Sequence, residues 1–247
     1  FLSFKRAIED AQHEELDALV TLPVDKATVQ LHDADFTGHT EVLGKAFGVE
    51  DNLMMMVSDE LRVGLVTNHL PVQEVARNLS VQRIVQKVLM METSLRRDFD
   101  IPRPLIAVLG LNPHAGDKGL LGNEEQEVIR PAVEALQQKG VMAEGPYPAD
   151  GYFGSLTFRK FHGTVAMYHD QGLIPFKLLA GFGGINFTAA MPFVRTSPDH
   201  GVAYDIAGKG VADPESFRKA IYLAMDIVRT RRENEALEAT ALDAPKH

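Results

Sequence analysis

A histidine followed at once by an aspartate, at the end of an apolar run, is the first place in this 247-residue chain where chemistry can be read. In Thr164-Val165-Ala166-Met167-Tyr168-His169-Asp170-Gln171-Gly172 the leading residues predict a buried strand, and those from Gly172 toward Lys177 predict a helix. An imidazole and a carboxylate therefore fall at the carboxyl end of a strand, where open α/β sheets hold their ligands. The pattern recurs. His69 follows a β-prone run over residues 61–67, and His114 follows residues 105–110, the clearest buried strand in the sequence. Imidazoles on separate rigid strand ends can converge on one divalent cation, and three satisfied core histidines would show the same spacing, so both readings stand. His13, His32, His162 and His247 carry no such pattern and are read as ordinary surface or core histidines.

Two cations suit an anionic substrate. Lys177 falls about two turns beyond His169 on the expected helix, and Arg195 sits in the otherwise apolar stretch Pro192-Phe193-Val194, where an unpaired guanidinium is expensive. A structural salt bridge is the competing explanation for each and carries the lesser weight. Gly181-Phe182-Gly183-Gly184 is a bare glycine cluster, and no GxGxxG follows a strand, which disfavours an ordinary Rossmann site.

The elements that must position these residues alternate strand and helix. A helix over residues 4–16 feeds a short strand ended by Pro23, and Gly38 allows a turn into a helix over 41–47, capped by Thr40 or a neighbour, with His39 at its positive end. Strands are expected over 53–58, 61–67, 105–110, 141–144, 164–167, 185–188 and 193–196. Helices are expected over 72–79, 81–97, 124–139, 155–161 and 214–232, with Pro146 and Pro148 holding an extended loop, residues 197–201 forming a turn and a charged tail fraying after Glu233. This alternation predicts a layered α/β fold with a largely parallel or mixed sheet.

Composition narrows the class. Asp plus Glu at 34 against Lys plus Arg at 25 gives a formal charge of −9, which argues against a nucleic-acid surface. The chain has no cysteine, which excludes disulfides, thiolate metal sites and cysteine nucleophiles, and fits a reducing cytoplasm. No apolar run approaches the ~20 residues of a membrane span, so a cytosolic protein without membrane contact is expected.

The motifs Thr37-Gly38-His39-Thr40-Glu41, Thr67-Asn68-His69-Leu70-Pro71, Gly110-Leu111-Asn112-Pro113-His114-Ala115-Gly116, Tyr168-His169-Asp170-Gln171-Gly172 and Pro192-Phe193-Val194-Arg195-Thr196-Ser197 together resemble the 4-hydroxythreonine-4-phosphate dehydrogenase family of pyridoxal phosphate biosynthesis. The segment from His200 to Gly210 also resembles the nucleotide-contacting loop of isocitrate and isopropylmalate dehydrogenases, whose α/β/α fold, two lobes around a cleft, that family shares. The resemblance implies that His69, His114 and His169 bind one divalent metal (Zn, Mg or Co), with His169 reaching it from the partner subunit of a homodimer whose active site lies at the interface. It implies that His39, Thr40, Lys177, Asn186 and Arg195 hold the substrate, that Asp170, Asp150 and Lys26 are catalytic, and that His200, Gly201, Ala203 and Asp205 lie against NAD.

By the same likeness, residues 1–22 are the remainder of a first lobe, 23–165 a central metal and substrate lobe, and 166–247 a part that closes the cleft and contributes the NAD loop. The family carries a substantial segment ahead of the point where this chain opens with Phe1, so a fragment or a shortened paralogue is expected. Leu22, Asp25 and Val202 depart from the family pattern. The implied reaction is NAD-linked oxidation of 4-phosphooxy-L-threonine to a β-keto acid, which decarboxylates to 3-amino-2-oxopropyl phosphate. A paralogue acting on phosphoerythronate or phosphothreonate, and a non-catalytic metal- or phosphate-binding protein, are the rival readings.

Overall fold

Short apolar runs separated by amphipathic helices assemble into one eight-stranded mixed sheet in the computed structural model, which describes residues 1–34 and 36–240. His247 lies outside the described residues. In chain order the elements are α1 (Leu2–Gln12), β1 (Ala18–Val20), α2 (Lys26–Gln30), α3 (His39–Ala46), β2 (Leu53–Val57), β3 (Arg62–Leu65), α4 (Val72–Val75) and α5 (Val81–Arg97). They continue with β4 (Ile106–Leu109), α6 (Arg130–Gln138), β5 (Ala143–Tyr147), α7 (Ala149–Gly154), β6 (Gly163–Ala166), α8 (His169–Ala180), β7 (Ile185–Ala189), β8 (Val194–Pro198) and α9 (Glu215–Thr240).

The strand order is β1-β8-β7-β2-β3-β6-β4-β5. Strands β3, β6, β4 and β5 run parallel, whereas β2 pairs antiparallel with both β3 and β7. Because β3, β6 and β4 are neighbours with one direction, their carboxyl ends share an edge of the sheet. His69, His114 and His169 each follow one of them.

Helices cover both faces. On one, α5 sets Ile84, Val88, Met91 and Leu95 in a fully buried stripe at helical spacing, packed with α6 and α9 side chains. Burying each such side chain is worth about 1.5–3 kcal/mol. Gly64 on β3 and Gly163 on β6 let α5 come close: a Cβ at either would lie 2.7 Å and 2.6 Å from Met91 atoms. On the other face, Leu173 and Phe176 of α8 pack on Val63, Leu65, Ala107 and Leu109. A third cluster, with Phe4, Ile8, Phe36 and Leu43, ties α1 and α3 together.

Several expected elements shift. Helix α9 runs on to Thr240 where fraying was expected after Glu233, since Glu, Ala and Leu in that stretch are strong helix formers. The expected strand over 141–144 is β5, displaced to Ala143–Tyr147 and including Pro146, which was read as loop. Strand β5 is an edge, and the register shift against β4 between Ala107 and Leu109 absorbs the residue that cannot donate. Ser197 and Pro198 extend β8 instead of turning, α8 opens at His169, and α3 is capped by the backbone of Gly38 with no side-chain hydrogen bond from Thr40.

A buried charge cluster anchors α9. The Asp98 carboxylate accepts from Ser94 Oγ at 2.6 Å, Arg97 Nε at 2.9 Å and Arg231 Nε at 2.7 Å, while Arg231 also donates to the Pro192 carbonyl at 2.9 Å. Breaking a buried pair by removing one partner strands a desolvated charge. Asp98→Ala is therefore expected to lower unfolding free energy by about 3–5 kcal/mol, read from the midpoint of a urea melt at unchanged slope.

Candidate active site

Strand alternation decides where Arg195 goes. On β8, Val194 and Thr196 face α9, with Thr196 Oγ1 donating to the Ala220 carbonyl at 2.8 Å, so Arg195 and Ser197 face the opposite side, that of α8. There the guanidinium is 5% exposed and donates to Thr21 Oγ1 from Nε and Nη2 at 3.1 and 2.7 Å, and to Thr188 Oγ1 from Nη1 at 3.3 Å. Among the described residues it has no carboxylate within ion-pair distance, so the expected structural salt bridge is not what holds it. Burial pushes its pKa down to about 10, with Glu41 opposing from farther off, and the group stays cationic at neutral pH.

Helix α8 supplies the next set. Residues 169, 173 and 177 recur every fourth position, so His169, Leu173 and Lys177 share one side, which lines a cavity of about 330 Å³ with His39, Asn186, Arg195, His200 and Gly201. Four of the five expected substrate residues thus share one cavity, and the fifth, Thr40, is the half-buried neighbour of His39. The Lys177 Nζ is held by the Asp199 carboxylate at 2.8 Å. Of the expected NAD residues, His200 and Gly201 line this cavity, whereas Ala203 and Asp205 lie in the exposed stretch beyond it, with Tyr204 donating to Asp25 Oδ2 at 2.9 Å.

His39 sits at the first turn of α3, its ring edge-on to Phe4 at 4.6 Å and Phe36 at 5.7 Å. Burial first, then the charges of Arg195 and Lys26, lower its pKa to about 4, so the ring is a neutral hydrogen-bonding group at physiological pH. The Lys26 charge also acts on His69.

The imidazoles of His69 and His169 face each other, ring centroids 5.7 Å apart. Burial, then the charges of His169 and Lys26, hold the His69 pKa below the usual range, against an opposing effect of Glu41. A neutral imidazole is the form that binds metal, and His169 Nδ1 is hydrogen-bonded to Asp170 Oδ1 at 2.7 Å, the outer support that metal-binding histidines commonly have. In donor type the pair suits a divalent cation. His114 does not join them: it lines a second groove of about 540 Å³ with Asp150, Asp170, Ile174 and Leu178, on the other side of α8. Among the described residues no three His, Asp or Glu side chains stand close enough to share an ion. The resemblance has His169 arriving from a second subunit, whereas in this chain the ring that stands apart is His114.

Sequence reasoning missed the supports. Thr21 and Thr188 hold Arg195. Gln171 accepts from the Met167 N–H at 2.7 Å and donates to the Gly110 carbonyl at 2.6 Å, tying the start of α8 to the end of β4. The one signal for Gln171 was its place two residues after His169. His162 and His13 behave as ordinary histidines, the first accepting from the Leu105 N–H at 2.9 Å and the second bonding the Glu9 carbonyl at 2.7 Å.

Residues 1–224 match the family model described as pyridoxal phosphate biosynthetic protein PdxA. A 4-hydroxythreonine-4-phosphate dehydrogenase of Bacteroides thetaiotaomicron is 48% identical over 241 residues, 97% of this chain and 66% of that protein. The crystal structure of a 4-hydroxythreonine-4-phosphate dehydrogenase from Klebsiella pneumoniae superposes with a TM-score of 0.82 at 41% identity, covering 91% of this chain and 68% of that one. A terephthalate 1,2-cis-dihydrodiol dehydrogenase from Burkholderia xenovorans gives a TM-score of 0.68 at 28% identity, covering 90% and 70%. The chain spans about two thirds of the length of the relatives it matches.

The depressed His39 pKa has a pH signature. The unfolded chain takes up this proton near pH 6.5 and the folded chain only near pH 4, so acid costs stability across that interval. His39→Gln is expected to flatten this part of the stability profile in pH-dependent thermal melts, and the His39 ring resonances should stay those of the neutral form at pH 5.5.

Proposed function

Since this chain belongs to the pyridoxal phosphate biosynthetic PdxA family, we propose that it carries the catalytic core of a metal-dependent, NAD-linked dehydrogenase that oxidises 4-phosphooxy-L-threonine. The product is a β-keto acid that loses carbon dioxide to give 3-amino-2-oxopropyl phosphate. The observation that carries this reading is Arg195: a buried guanidinium whose hydrogen-bond partners among the described residues are hydroxyls alone, in the lining of the cavity that Lys177, His39 and Asn186 also line. Desolvating a cation without a counter-charge is costly, and an anionic substrate offsets that cost.

In this reading the planar fork of Arg195 grips a carboxylate or phosphate, Lys177 adds a point charge, and neutral His39 with Asn186 and Thr40 fixes orientation through hydrogen bonds. His69 and His169 hold the metal with His114, which a second copy of the chain brings. The exposed Ile174 and Leu178 beside His114 give that copy an apolar face to cover, which supports a homodimer. A divalent cation bound there, of which Zn, Mg and Co are the candidates, supplies polarisation of the substrate hydroxyl and lowers its pKa. NAD, when bound, would supply the hydride acceptor, while Asp150 or Asp170, in the groove of His114, takes the hydroxyl proton with Lys26 assisting. The segment bearing His200, Gly201, Ala203 and Asp205 lies against the nucleotide. We keep the functional division at residues 22 and 165, with the last part closing over the cavity. Among the described residues no helix is long and apolar enough to cross a membrane, and we place the protein in the cytoplasm.

The deciding experiment follows NADH formation with 4-phosphooxy-L-threonine, phosphoerythronate and phosphothreonate, each with added Zn²⁺, Mg²⁺ or Co²⁺. Turnover is expected with the first, and no reduction of NAD with any of them sinks the reading. His114→Ala is expected to abolish metal binding and turnover at an unchanged melting temperature, measured by metal analysis of the purified variant. Arg195→Lys, which keeps the charge but loses the fork, should raise the substrate KM roughly 10- to 100-fold, the worth of a lost charge-assisted hydrogen bond.

A further inference from the structure

The segment that presents His114 is wound the wrong way. His114, Ala115, Gly116, Asp117 and Lys118 have φ values of 53, 49, 77, 40 and 57°, a run of five left-handed residues of which one is glycine. Non-glycine residues resist this conformation because Cβ crowds the following carbonyl, so the surrounding structure must impose it.

What lies inside the turn is Glu125. Its side chain is buried, 1% exposed, on the first residue of the π-helical turn Glu125–Ile129 that leads into α6. Oε1 accepts from the backbone N–H groups of Leu111 and Asn112, both at 2.7 Å, and Oε2 accepts from Asn112 Nδ2 at 3.0 Å. Among the described residues no cation pairs with it, so its solvation comes from the segment between β4 and His114. The fit is close: a Cβ at Gly116 would lie 2.5 Å from Oε2, and one at Gly110 3.2 Å from Oε1. Behind it, Ile129, Ala132, Val133 and Leu136 are locked into the core, so the carboxylate is a fixed post.

We infer that Glu125 is the positioning residue for His114, fixing Leu111 and Asn112 just ahead of it and packing on Gly116 just after it, so that the imidazole is aimed before any metal arrives. This rests on the reading above that His114 is a metal ligand. Removing the clamp lets the turn relax to right-handed backbone and carries the ring away, while the sheet beneath is untouched.

The test is a Zn²⁺ titration of the purified protein against a chromophoric chelator, with circular dichroism as the check on folding. Glu125→Gln keeps the shape but replaces one acceptor oxygen with a donor facing backbone N–H groups. It is expected to weaken Zn²⁺ affinity roughly 10- to 100-fold, as loss of an outer-shell support does. Lys87→Met, which breaks the buried pair with Asp51, is the control for stability alone and should leave Zn²⁺ affinity as it was. Should Glu125→Gln fail to fold, Asn112→Ala carries the test. It removes the side-chain bonds to Glu125 at 3.0 Å and to Glu124 at 2.7 Å and spares both backbone bonds, with an expected loss of roughly 2- to 10-fold. Wild-type affinity in a folded Glu125→Gln, or in Asn112→Ala, overturns the inference and leaves the proposed activity standing. A wild-type chain that binds Zn²⁺ no better than His114→Ala overturns the His114 reading and the inference with it. An equal loss in Lys87→Met assigns the effect to stability and overturns the positioning role.

Discussion

A guanidinium buried with hydroxyls as its hydrogen-bond acceptors is the constraint on which the rest of the molecule depends. Arg195 needs a strand to fix its direction, a helix to roof it and two threonines from separate strands or loops to hold its fork. Thr21 follows β1, whose pairing with β8 is parallel, and Thr188 comes from the antiparallel neighbour β7, so three consecutive strands of the sheet converge on one side chain. A lysine would meet that arrangement with a single donor point, and a leucine would fill it without need of any ligand. Among the described residues no carboxylate lies within ion-pair distance of this cation, which is why the proposed reading gives it an anionic ligand.

The second organising fact is topological. Three parallel neighbours in the sheet deliver three histidines to one edge, yet their arrangement is not a closed triad: His69 and His169 meet, and His114 is turned into the groove beyond α8. Under the proposed reading a second chain would complete the site, and metal affinity, assembly and turnover would then be parts of one equilibrium. The left-handed segment around His114 suits that role, since it presents a side chain outward from a strained and tightly supported backbone.

Much of this was legible in the residues. The strand before His114 is an unbroken apolar run and the one before His169 is fully buried and mostly apolar, and the histidines beyond them were visible for that reason. The roles of Lys177, Arg195 and His39 as neighbours of one cavity followed from motif order more than from periodicity. The supports stayed hidden: nothing in the spacing of Thr21, Thr188, Gln171 or Glu125 says that each reaches across the fold to a backbone or guanidinium group. Hydrogen bonds at long sequence separation leave no local trace. Edge effects were misread for a related reason. Pro146 reads as loop until the sheet order shows that its strand is the last one. The end of α9 was set too early because a charged, alanine-rich stretch was read as tail when its residues are good helix formers anchored upstream by Arg231.

Helix α8 is a wall shared by two grooves, with His169 and Lys177 on one side and Asp170 and Ile174 on the other. A substitution that displaces this helix would therefore reshape both grooves at once, and neither can be redesigned without regard to its neighbour.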